Sequence, residues 1–332
     1  MREPAFWWRK PGLRARLLAP IAEAYGKIAT QRMMQTGRKA NVPVLCVGNF
    51  TTGGAGKTPT AIMLAKLLSD AGEAPFCLTR GFGGSLAGPK RVDTSADHAA
   101  EVGDEALLLA RAAPTVIARN RVAGAAMARE QGAGVIVMDD GLQNATLIKN
   151  FTLAVVDARR GIGNARVFPA GPLRAPLQAQ IERSDALLVV GEGGGADAAV
   201  AAAQARGLPV WHGRLVPDSV AAAALKGRRV LAFAGIGDPE KFFASAAAVG
   251  IDVARRERFP DHHRFSAQEA AKLLKDAERE GLSLLTTEKD LARMTGEPAL
   301  ATLAARVAVM PVTMVVRELD ELRQRVVAAL KR

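Results

Sequence analysis

Residues 48–59, GNFTTGGAGKTP, have the composition of a phosphate-binding loop. They follow an apolar run and precede a helical segment, and the unpaired amides and dipole at a helix start favour a bound phosphate. Glycines let the backbone wrap that phosphate, Lys57 would reach its terminal groups, and Thr58 would ligate Mg²⁺. Thr51 replaces the first glycine of the usual pattern, where it only shapes the loop entry. The predicted nucleotide-binding residues are Thr52, Gly53, Gly54, Ala55, Gly56, Lys57 and Thr58.

Two carboxylates, Asp139 and Asp140, end the apolar run at residues 134–138. A phosphate loop that binds Mg²⁺ works with an acid at the end of a neighbouring strand. Adjacent carboxylates beside a buried strand are unfavourable unless a cation or hydrogen bonds balance their charge. An ordinary strand-ending turn is the alternative, and the neighbouring phosphate loop disfavours it. The sequence therefore predicts a Mg²⁺ site made by Thr58, Asp139 and Asp140.

The phosphate loop alone does not define the class of nucleotide-binding protein. A GTPase would carry an Asn-Lys-x-Asp motif for guanine, and TEKD at residues 287–290 does not match it. A partition-type ATPase would carry a signature lysine where this chain has Thr52. Both classes are therefore disfavoured. Beside an enzyme, a nucleotide switch that acts with a protein or membrane partner stays open.

The chain is basic, with a net charge of +12 over 332 residues. This balance favours an anionic partner, which can be nucleic acid, an acidic membrane surface or a phosphorylated substrate. The charge is concentrated in residues 1–40, which carry nine Lys and Arg against two Glu, a net of +7. Since no recognised nucleic-acid-binding module is present, we expect no nucleic-acid partner.

The sequence also indicates a compartment. Cys46 and Cys77 lie far apart in apolar runs, which is typical of core residues in a reducing compartment and unlike a metal site. No apolar run approaches the ~20 residues of a transmembrane helix, and the N-terminus lacks the pattern of a signal peptide. We therefore expect a cytoplasmic protein.

An amphipathic helix is predicted near the N-terminus, because apolar residues recur there at helical spacing. The apolar stripe consists of Leu13, Leu17, Ile21, Tyr25 and Ile28. Pro20 is expected to bend this helix. An aromatic and basic cluster of the kind that suits a lipid interface precedes the helix: Phe6, Trp7, Trp8, Arg9 and Lys10. Two interpretations stay open, attachment to a membrane surface and packing on the protein's own core.

Short apolar runs alternate with helical segments along most of the remaining chain. Such alternation implies a parallel sheet covered by helices on both faces. We expect an α/β fold, with a P-loop NTPase-type parallel sheet, a second smaller Rossmann-like lobe and the N-terminal amphipathic helix. The predicted boundaries are residues 1–35 for that helix, 36–218 for the P-loop domain, 219–316 for the second lobe and 317–332 for a C-terminal helix packing back on the first domain.

Three further segments complete the expected order of elements. Residues 191–197, GEGGGAD, are predicted to be a flexible loop, and residues 216–230 a connector. Residues 306–316, RVAVMPVTMVV, are predicted to be a single strand of the second lobe.

Seven motifs, in order along nearly the whole chain, are those of one enzyme family: VGNFTTGGAGKTP, LTRGFGG, VGDEALLLA, VMDDGLQ, FPAGPLR, FPDHHRF and LLTTEKD. The chain resembles the tetraacyldisaccharide 4′-kinases. The resemblance implies ATP-dependent, Mg²⁺-assisted transfer of the γ-phosphate to the 4′-hydroxyl of a tetraacyldisaccharide 1-phosphate in lipid A biosynthesis. It also implies a peripheral enzyme at the cytoplasmic face of the bacterial inner membrane, which would account for the basic N-terminus. Two Rossmann-like lobes joined by a short two-stranded linker are the implied fold.

Site residues also follow from the resemblance. The family's base corresponds to Asp104, working with His262 or its neighbour His263, and Lys57 completes the catalytic set. Because Asp104 and His262 would lie in different lobes, the pair would form only on closure, which also excludes water. The implied substrate-binding residues are Arg80, Arg121, Gln143, Arg174 and His263.

Some positions of the motifs carry less information. Glu105 either takes part in the site or faces solvent, while nucleotide binding and lobe closure stay open as roles for Lys289. Ala175 stands where the family commonly has Glu, which removes one expected carboxylate. Asn144 stands where the family commonly has His, which indicates that this histidine is dispensable.

Overall fold

The computed structural model describes residues 3–331, so Met1, Arg2 and Arg332 of the predicted terminal segments lie outside the described residues. Two sheets organise the chain, one of nine strands and one of four. Most of their strands are short apolar runs of the sequence, and helices flank both sheets, which is the predicted α/β architecture.

The strands, in chain order, are β1 (Val44–Asn49), β2 (Pro75–Thr79), β3 (Lys90–Arg91), β4 (Thr115–Ile117), β5 (Val135–Asp139), β6 (Phe151–Asp157), β7 (Ala186–Val190), β8 (Val210–Pro217), β9 (Arg229–Ala234), β10 (Asp252–Arg258), β11 (Ser283–Thr286), β12 (Val307–Val309) and β13 (Val312–Val316). The nine-stranded sheet has the order β13-β8-β7-β6-β1-β5-β2-β4-β3, and the four-stranded sheet has the order β10-β9-β11-β12.

The helices, in chain order, are α1 (Leu13–Leu17), α2 (Ala19–Met33), α3 (Lys57–Asp70), α4 (Ala99–Val102), α5 (Asp104–Ala112), α6 (Arg121–Glu130), α7 (Leu177–Glu182), α8 (Asp197–Ala205), α9 (Ser219–Leu225), α10 (Pro239–Ala248), α11 (Ala267–Glu280), α12 (Glu288–Met294), α13 (Ala301–Arg306) and α14 (Leu319–Leu330). Short 3₁₀ helices lie at Ala5–Trp8 and Pro298–Leu300.

The centre of the larger sheet is parallel and fully buried. β1 lies between β5 and β6, and every residue of these three strands is buried, as their continuous apolar runs require. Val47 of β1 is in register with Asp139 of β5. Because parallel strands end at the same edge of a sheet, this register places the phosphate loop after β1 beside the acidic pair after β5.

The chain crosses between the two lobes along β8 and β13, which pair antiparallel in the larger sheet. The prediction of one second-lobe strand over residues 306–316 is therefore wrong. β12 pairs with β11 in the smaller sheet, whereas β13 lies in the larger sheet. Pro311 separates them; it has no N–H to continue a ladder, and the apolar pattern on either side hides the break.

Other differences from the sequence prediction lie in polar or alanine-rich segments. The predicted connector at residues 216–230 contains the end of β8, all of α9 and the start of β9. The strand β10 was not predicted because DVARRER is charged; it is an edge strand of the smaller sheet with alternating exposure. The glycine-rich stretch at residues 191–197 leads directly into α8.

The N-terminal helix is interrupted at Leu18, where α1 ends and α2 begins with Pro20 in its first turn, as the expected bend requires. The residues buried in these helices are Ala15, Ala22, Gly26 and Met33, so all but Met33 are small. The large apolar residues of the predicted stripe face outward: Leu13 is 72%, Leu17 70%, Ile21 59%, Tyr25 42% and Ile28 51% exposed. Among residues 3–331, no helix is both long and apolar enough to cross a bilayer.

Part of the aromatic cluster before α1 packs on the protein itself, which is one of the two interpretations that the sequence left open. Trp7 is 6% exposed, and its Nε1 donates a hydrogen bond to the carbonyl oxygen of Pro169 at 3.0 Å. Trp8 lies beneath the guanidinium of Arg160, 5.1 Å from the ring centroid. The two tryptophans therefore fasten the N-terminal segment to the first lobe, and the exposed apolar surface is that of α1 and α2.

Candidate active site

The phosphate loop connects β1 to α3. Gly56, the residue before α3, has φ of 93°, a backbone conformation that glycine adopts without strain. Lys57 and Thr58 begin the helix and are buried, so their side chains are held at its N-terminus. This is the strand–loop–helix arrangement that binds phosphate through backbone amides.

Asp139 ends β5 and is fully buried. The hydroxyl of Thr58 donates to its Oδ2 at 3.2 Å, while its Oδ1 has no hydrogen-bond partner among residues 3–331. Burial, followed by the charges of Glu105 and Asp140, raises the pKa of Asp139 to about 7. An unpaired buried carboxylate oxygen beside a threonine hydroxyl fits the protein side of a Mg²⁺ site, in which phosphate oxygens and water complete the shell.

Asp140 has a different environment from its neighbour. Its Oδ1 accepts a hydrogen bond from Nη1 of Arg174 at 2.6 Å and lies 3.7 Å from Nζ of Lys57. Burial alone would raise the pKa of Asp140, but Lys57 and Arg174 hold it well below its usual range. Arg174 also donates from Nε to the carbonyl oxygen of Thr51 at 3.0 Å, so it ties the acid to the loop entry.

Gln143 and Ala175 lie beside this network. Nε2 of Gln143 donates to the carbonyl oxygen of Asn49 at 2.8 Å, so Gln143 supports the end of β1. Ala175 is fully buried and presents no polar side chain where the family commonly has Glu. The side chain of Asn144 accepts from the backbone and hydroxyl of Thr146 and forms a local turn.

Asp104 begins α5 and is 3% exposed. His262 comes from the second lobe, and its Nδ1 lies 3.5 Å from Oδ2 of Asp104. Burial would raise the pKa of Asp104, but the contact with His262 and the charges of Arg293 and Lys289 hold it well below its usual range. The closed lobes thus bring together the acid and histidine that the sequence indicated, and His262 rather than His263 makes the contact.

His263 points into the second lobe. Its ring stacks on Phe259 with centroids 4.9 Å apart, and its Nε2 lies 3.0 Å from both carboxylate oxygens of Glu269. The expectation that His263 binds substrate has no support from this position, because its ring is engaged within its own lobe.

The two other predicted arginines differ in exposure. Arg80 is exposed at the end of β2. Arg121 is 4% exposed, donates to the carbonyl oxygen of Ala118 and has an Nε without a partner among the described residues. Burial lowers the pKa of Arg121 to about 10, although Asp140 opposes this shift. Arg121 is therefore a buried cation on the same side of the sheet as the acidic pair.

No sequence motif indicates Arg293, and the motifs leave the roles of Glu105 and Lys289 open. Nζ of Lys289 donates to Oε1 of Glu105 at 2.7 Å, across the two lobes, and Glu105 is not solvent-facing. Arg293 donates from Nε to Oδ2 of Asp104 at 2.8 Å. The motif LLTTEKD marked this helix, but Arg293 lies beyond the motif and is recognisable only from its contacts.

Further contacts hold the lobes together around the loop. Lys241 of α10 donates to Oδ2 of Asp157 at the end of β6, at 2.9 Å. Arg159 pairs with Asp238, the N-cap of α10. Arg264 donates to the carbonyl oxygen of Gly83 at 2.8 Å. The site is therefore a cleft closed by residues from both lobes.

Three features of this site define a P-loop phosphotransferase. The phosphate loop lies on a parallel sheet, Thr58 and Asp139 form a pair suited to Mg²⁺, and an acid–histidine pair spans the cleft. The family model for tetraacyldisaccharide-1-P 4′-kinase matches residues 14–331. The chain belongs to this family. Its activity is the ATP-dependent phosphorylation of the 4′-hydroxyl of a tetraacyldisaccharide 1-phosphate, a step of lipid A biosynthesis.

Relatives support the same conclusion. The tetraacyldisaccharide 4′-kinase of Rhodopseudomonas palustris strain BisB5 is 55% identical over 98% of this chain and 95% of its own length. That of Methylobacterium sp. strain 4-46 is 58% identical over 94% of each chain. A crystal structure of LpxK from Aquifex aeolicus in complex with ATP has a TM-score of 0.73 and 26% identity, covering 96% of this chain and 100% of its own. The likeness extends over both lobes.

Proposed function

We propose that phosphate transfer takes place in the cleft between the lobes, with ATP on residues 52–58 and the acceptor hydroxyl at Asp104 and His262. The observation that carries this proposal is the contact between His262 and Asp104, 3.5 Å apart and drawn from different lobes beside the phosphate loop. ATP binding is a property of the Aquifex aeolicus relative and is consistent with the loop geometry here. Lys57 would reach the β- and γ-phosphates.

Mg²⁺ is proposed to be held by Thr58 and Asp139. The unpaired Oδ1 of Asp139 supports this assignment. Asp140, assigned to the metal from the sequence, instead neutralises Lys57 and Arg174, so we propose that it orients these cations. When bound, the ion would neutralise charge on the phosphates. Among residues 3–331 no group of three His, Cys, Asp or Glu forms a metal cage, which suits an ion bound largely by nucleotide and water.

The acid–histidine pair is proposed to orient the acceptor hydroxyl. Phosphoryl transfer has a loose transition state, so placing the hydroxyl in line matters more than strong basicity. Closure of the lobes assembles the pair and excludes water that would otherwise hydrolyse ATP. Phe82 packs edge-on against the ring of His262, with centroids 4.8 Å apart, and covers one side of this contact.

Four side chains are proposed to bind the acceptor or its transferred phosphate: Arg80, Arg121, Gln143 and Arg174. The buried Arg121, with its unpaired Nε, supports a role toward an anion. Arg174 already bridges the loop entry and Asp140, so we propose that it shapes the phosphate end of the cleft.

The enzyme is proposed to act as a peripheral protein on the cytoplasmic face of the inner membrane. The outward-facing apolar stripe of α1 and α2 supports this, as do the exposed cations Arg9, Lys10 and Arg14. Between α2 and residues 165–178 lies a cavity of about 770 Å³, lined mainly by apolar side chains. This cavity is of a size to receive acyl chains of the substrate.

The test is mass spectrometry of the acylated disaccharide 1-phosphate after incubation with the protein and Mg-ATP. One added phosphate is expected, and hydrolysis of ATP should depend on the lipid acceptor. Hydrolysis that ignores the lipid and responds to a protein partner would favour a nucleotide switch. No added phosphate with any nucleotide would reject the proposal.

A further inference from the structure

The carboxylate of Glu3 lies against the phosphate loop. A side chain at position 53 would collide with Oε1 of Glu3, so this oxygen lies close to the backbone of Gly53. Oε1 is shielded from solvent and has no hydrogen-bond partner among residues 3–331. Gly53 belongs to the loop whose backbone amides are expected to hold phosphate. An anionic side chain of the protein therefore lies beside the expected place of an anionic ligand.

Two donors hold the other oxygen of Glu3. Nη1 of Arg160 donates to Oε2 at 3.1 Å, and Nε1 of Trp8 donates to the same oxygen at 3.1 Å. The side chains of Glu3 and Arg160 are 19% and 26% exposed. The two oxygens of one carboxylate therefore bridge the phosphate loop and the guanidinium of Arg160.

Arg160 lies where the two lobes meet beside the loop. Its backbone N–H donates to Oδ1 of Asp157 at the end of β6, at 2.9 Å. Its Nε lies 3.5 Å from Oδ2 of Asp238, the N-cap of α10 in the second lobe. The turn before α10 also lies against the loop, because a Cβ atom added to Gly237 would be 3.2 Å from the amide nitrogen of Gly54. Contacts from both lobes therefore hold this cation beside the loop.

Glu3 is poorly compensated at this position. Burial raises its pKa, Arg160 and Trp8 oppose that change, and the charges of Asp261 and Asp238 add to it, so that the pKa of Glu3 lies above its ordinary value. The triphosphate of a nucleotide would bring several more negative charges to the same loop. Since like charges repel strongly in a partly buried site, the ionised carboxylate and the phosphates exclude each other.

A phosphate group can replace this carboxylate in both of its contacts. Arginine donates to carboxylate and phosphate oxygens in the same way, through the parallel N–H groups of its planar head. A phosphate group also carries oxygens on either side of its central atom, so it can bridge Gly53 and Arg160 as the carboxylate of Glu3 does. Arg160 is thus a cation already placed for an anion on the loop.

We propose that Glu3 is an internal competitor of ATP, holding the place of a phosphate group between Gly53 and Arg160, and that Arg160 binds the nucleotide phosphates once Glu3 has left. This inference rests on the proposed nucleotide site at residues 52–58 and adds Arg160 to it. The apparent affinity for ATP is lowered in proportion to the fraction of the protein in which Glu3 occupies the place. The segment before α1 therefore has one arrangement in the empty protein and another in the ATP complex.

The first experiment measures the Kd for Mg-ATP by titration calorimetry with Glu3→Gln, Arg160→Gln and the double variant. Glu3→Gln should bind ATP about tenfold more tightly, because the amide neither repels the phosphates nor pairs strongly with the guanidinium. Arg160→Gln should bind ATP about tenfold more weakly, because a charge-assisted hydrogen bond to phosphate is lost. In the Arg160→Gln background, Glu3→Gln should improve binding by less than about threefold, because no cation is left to compete for.

Glu73→Gln and Arg129→Gln are the matched controls for the two charge changes. Both residues are exposed in the first lobe, Glu73 beyond the C-terminal end of α3 and Arg129 near the end of α6. Neither change should alter the Kd by more than about twofold. If Arg160→Gln does not fold, Arg160→Lys takes its place and should bind ATP about threefold more weakly than the wild type, because lysine lacks the planar fork.

Hydrogen exchange follows the departure of Glu3 directly. In the wild type, Mg-ATP should speed exchange at the backbone amides of residues 5–8, because this segment is tied to Glu3 through Trp8. In Glu3→Gln the same amides should exchange faster before ATP is added and should change little afterwards.

Equal ATP affinity of Glu3→Gln and the wild type would overturn this inference, as would slower exchange of residues 5–8 with ATP. A full gain from Glu3→Gln in the Arg160→Gln background would also contradict it, because Glu3 would then act by its charge alone. The proposed nucleotide site is tested separately by Lys57→Ala, which should lose ATP binding. If Lys57→Ala binds ATP like the wild type, the nucleotide does not lie on residues 52–58, whatever the result for Glu3.

Discussion

Asp139 combines full burial with a carboxylate oxygen that no described residue satisfies. Thr58 approaches one oxygen, while Glu105 and Asp140 add negative charge nearby. Such a group is unfavourable in the empty protein and favourable once a cation arrives. In the proposed Mg²⁺ site, Asp139 would therefore lower the stability of the metal-free fold and raise the affinity for Mg²⁺ and nucleotide.

Replacing Asp139 with Asn should raise the melting temperature of the metal-free protein at pH 8 by about 2 °C or more. The melting temperature is expected to rise because the pKa of Asp139 is about 7 in the folded protein, against an ordinary value of 3.8. Ionisation of Asp139 therefore lowers the stability of the folded protein as the pH rises from 3.8 to about 7. The amide of Asn does not ionise, so the variant keeps this stability at pH 8. Mg-ATP should then stabilise the wild type and not the variant, measured by thermal shift.

Asp70→Asn is the control for Asp139→Asn, because Asp70 is exposed at the end of α3. It should leave both the melting temperature and the response to Mg-ATP unchanged. Equal stabilisation of Asp139→Asn and wild type by Mg-ATP would contradict the metal assignment.

The residues that the sequence predicted best are those whose partners are set by local structure. Lys57 and Thr58 follow from the loop–helix junction, and Asp139 from the end of an apolar strand. Arg293 could not be predicted, because its contact with Asp104 spans most of the chain and depends on how the lobes meet. Spacing along a chain carries no information on such a contact.

Among the elements, α1 and α2 bury three small residues and Met33, while the large apolar residues of their stripe face outward. Gly26 packs against Pro176 and Val167, which brings the helix close to the lobe. A helix packed on its own core would have the opposite arrangement. The exposed stripe therefore favours a lipid interface.

The double variant Leu17→Glu, Ile21→Glu should bind vesicles of anionic phospholipid about tenfold or more weakly. The reason is that two apolar side chains that would insert into the lipid are lost. Both residues are more than half exposed, at 70% and 59%, so the melting temperature should not change. Co-sedimentation and thermal melting check these two outcomes.

Val220→Glu is the matched control for the helix variant, since Val220 is 77% exposed on α9 of the second lobe. Its vesicle binding should equal that of the wild type. A drop in melting temperature of the α1–α2 variant with unchanged vesicle binding would favour core packing instead.

The order of helices and strands was largely predictable from the sequence, and the wrong predictions have physical causes. β10 lacks the apolar pattern used to predict strands, because an edge strand can carry charged residues. The assignment of β12 and β13 to one strand fails because Pro311 divides two apolar segments that pair in different sheets. Pairing in a sheet is a long-range choice that periodicity does not specify.

For the whole molecule, the relevant feature is that residues of both lobes meet at the candidate site. Lys241 and Asp157 form a salt bridge between the lobes, and the side chain of Asp157 is 7% exposed. Burial would raise the pKa of Asp157, but Lys241 and backbone amides hold it below its usual value. This bridge lies on the opposite side of the phosphate loop strand from the Asp104 contact, so it should favour closure without touching the acceptor.

Lys241→Met should lower kcat/KM about fivefold, since it weakens closure by about 1 kcal/mol, and should increase the radius of gyration in small-angle scattering. Lys272→Met is the control, because Lys272 pairs with Asp276 inside the same lobe. An unchanged radius with a full fivefold loss would mean that Lys241 acts on the nucleotide rather than on closure.

In the proposed mechanism, phosphate transfer to the lipid acceptor needs Asp104, whereas ATP binding does not. The direct measurement is transfer of γ-phosphate from Mg-ATP to the acylated disaccharide 1-phosphate by Asp104→Ala, in samples whose ATP affinity is measured in parallel. Transfer should fall by about 100-fold or more while ATP affinity stays near that of the wild type. Transfer at the wild-type rate, with ATP bound equally well, would contradict the account.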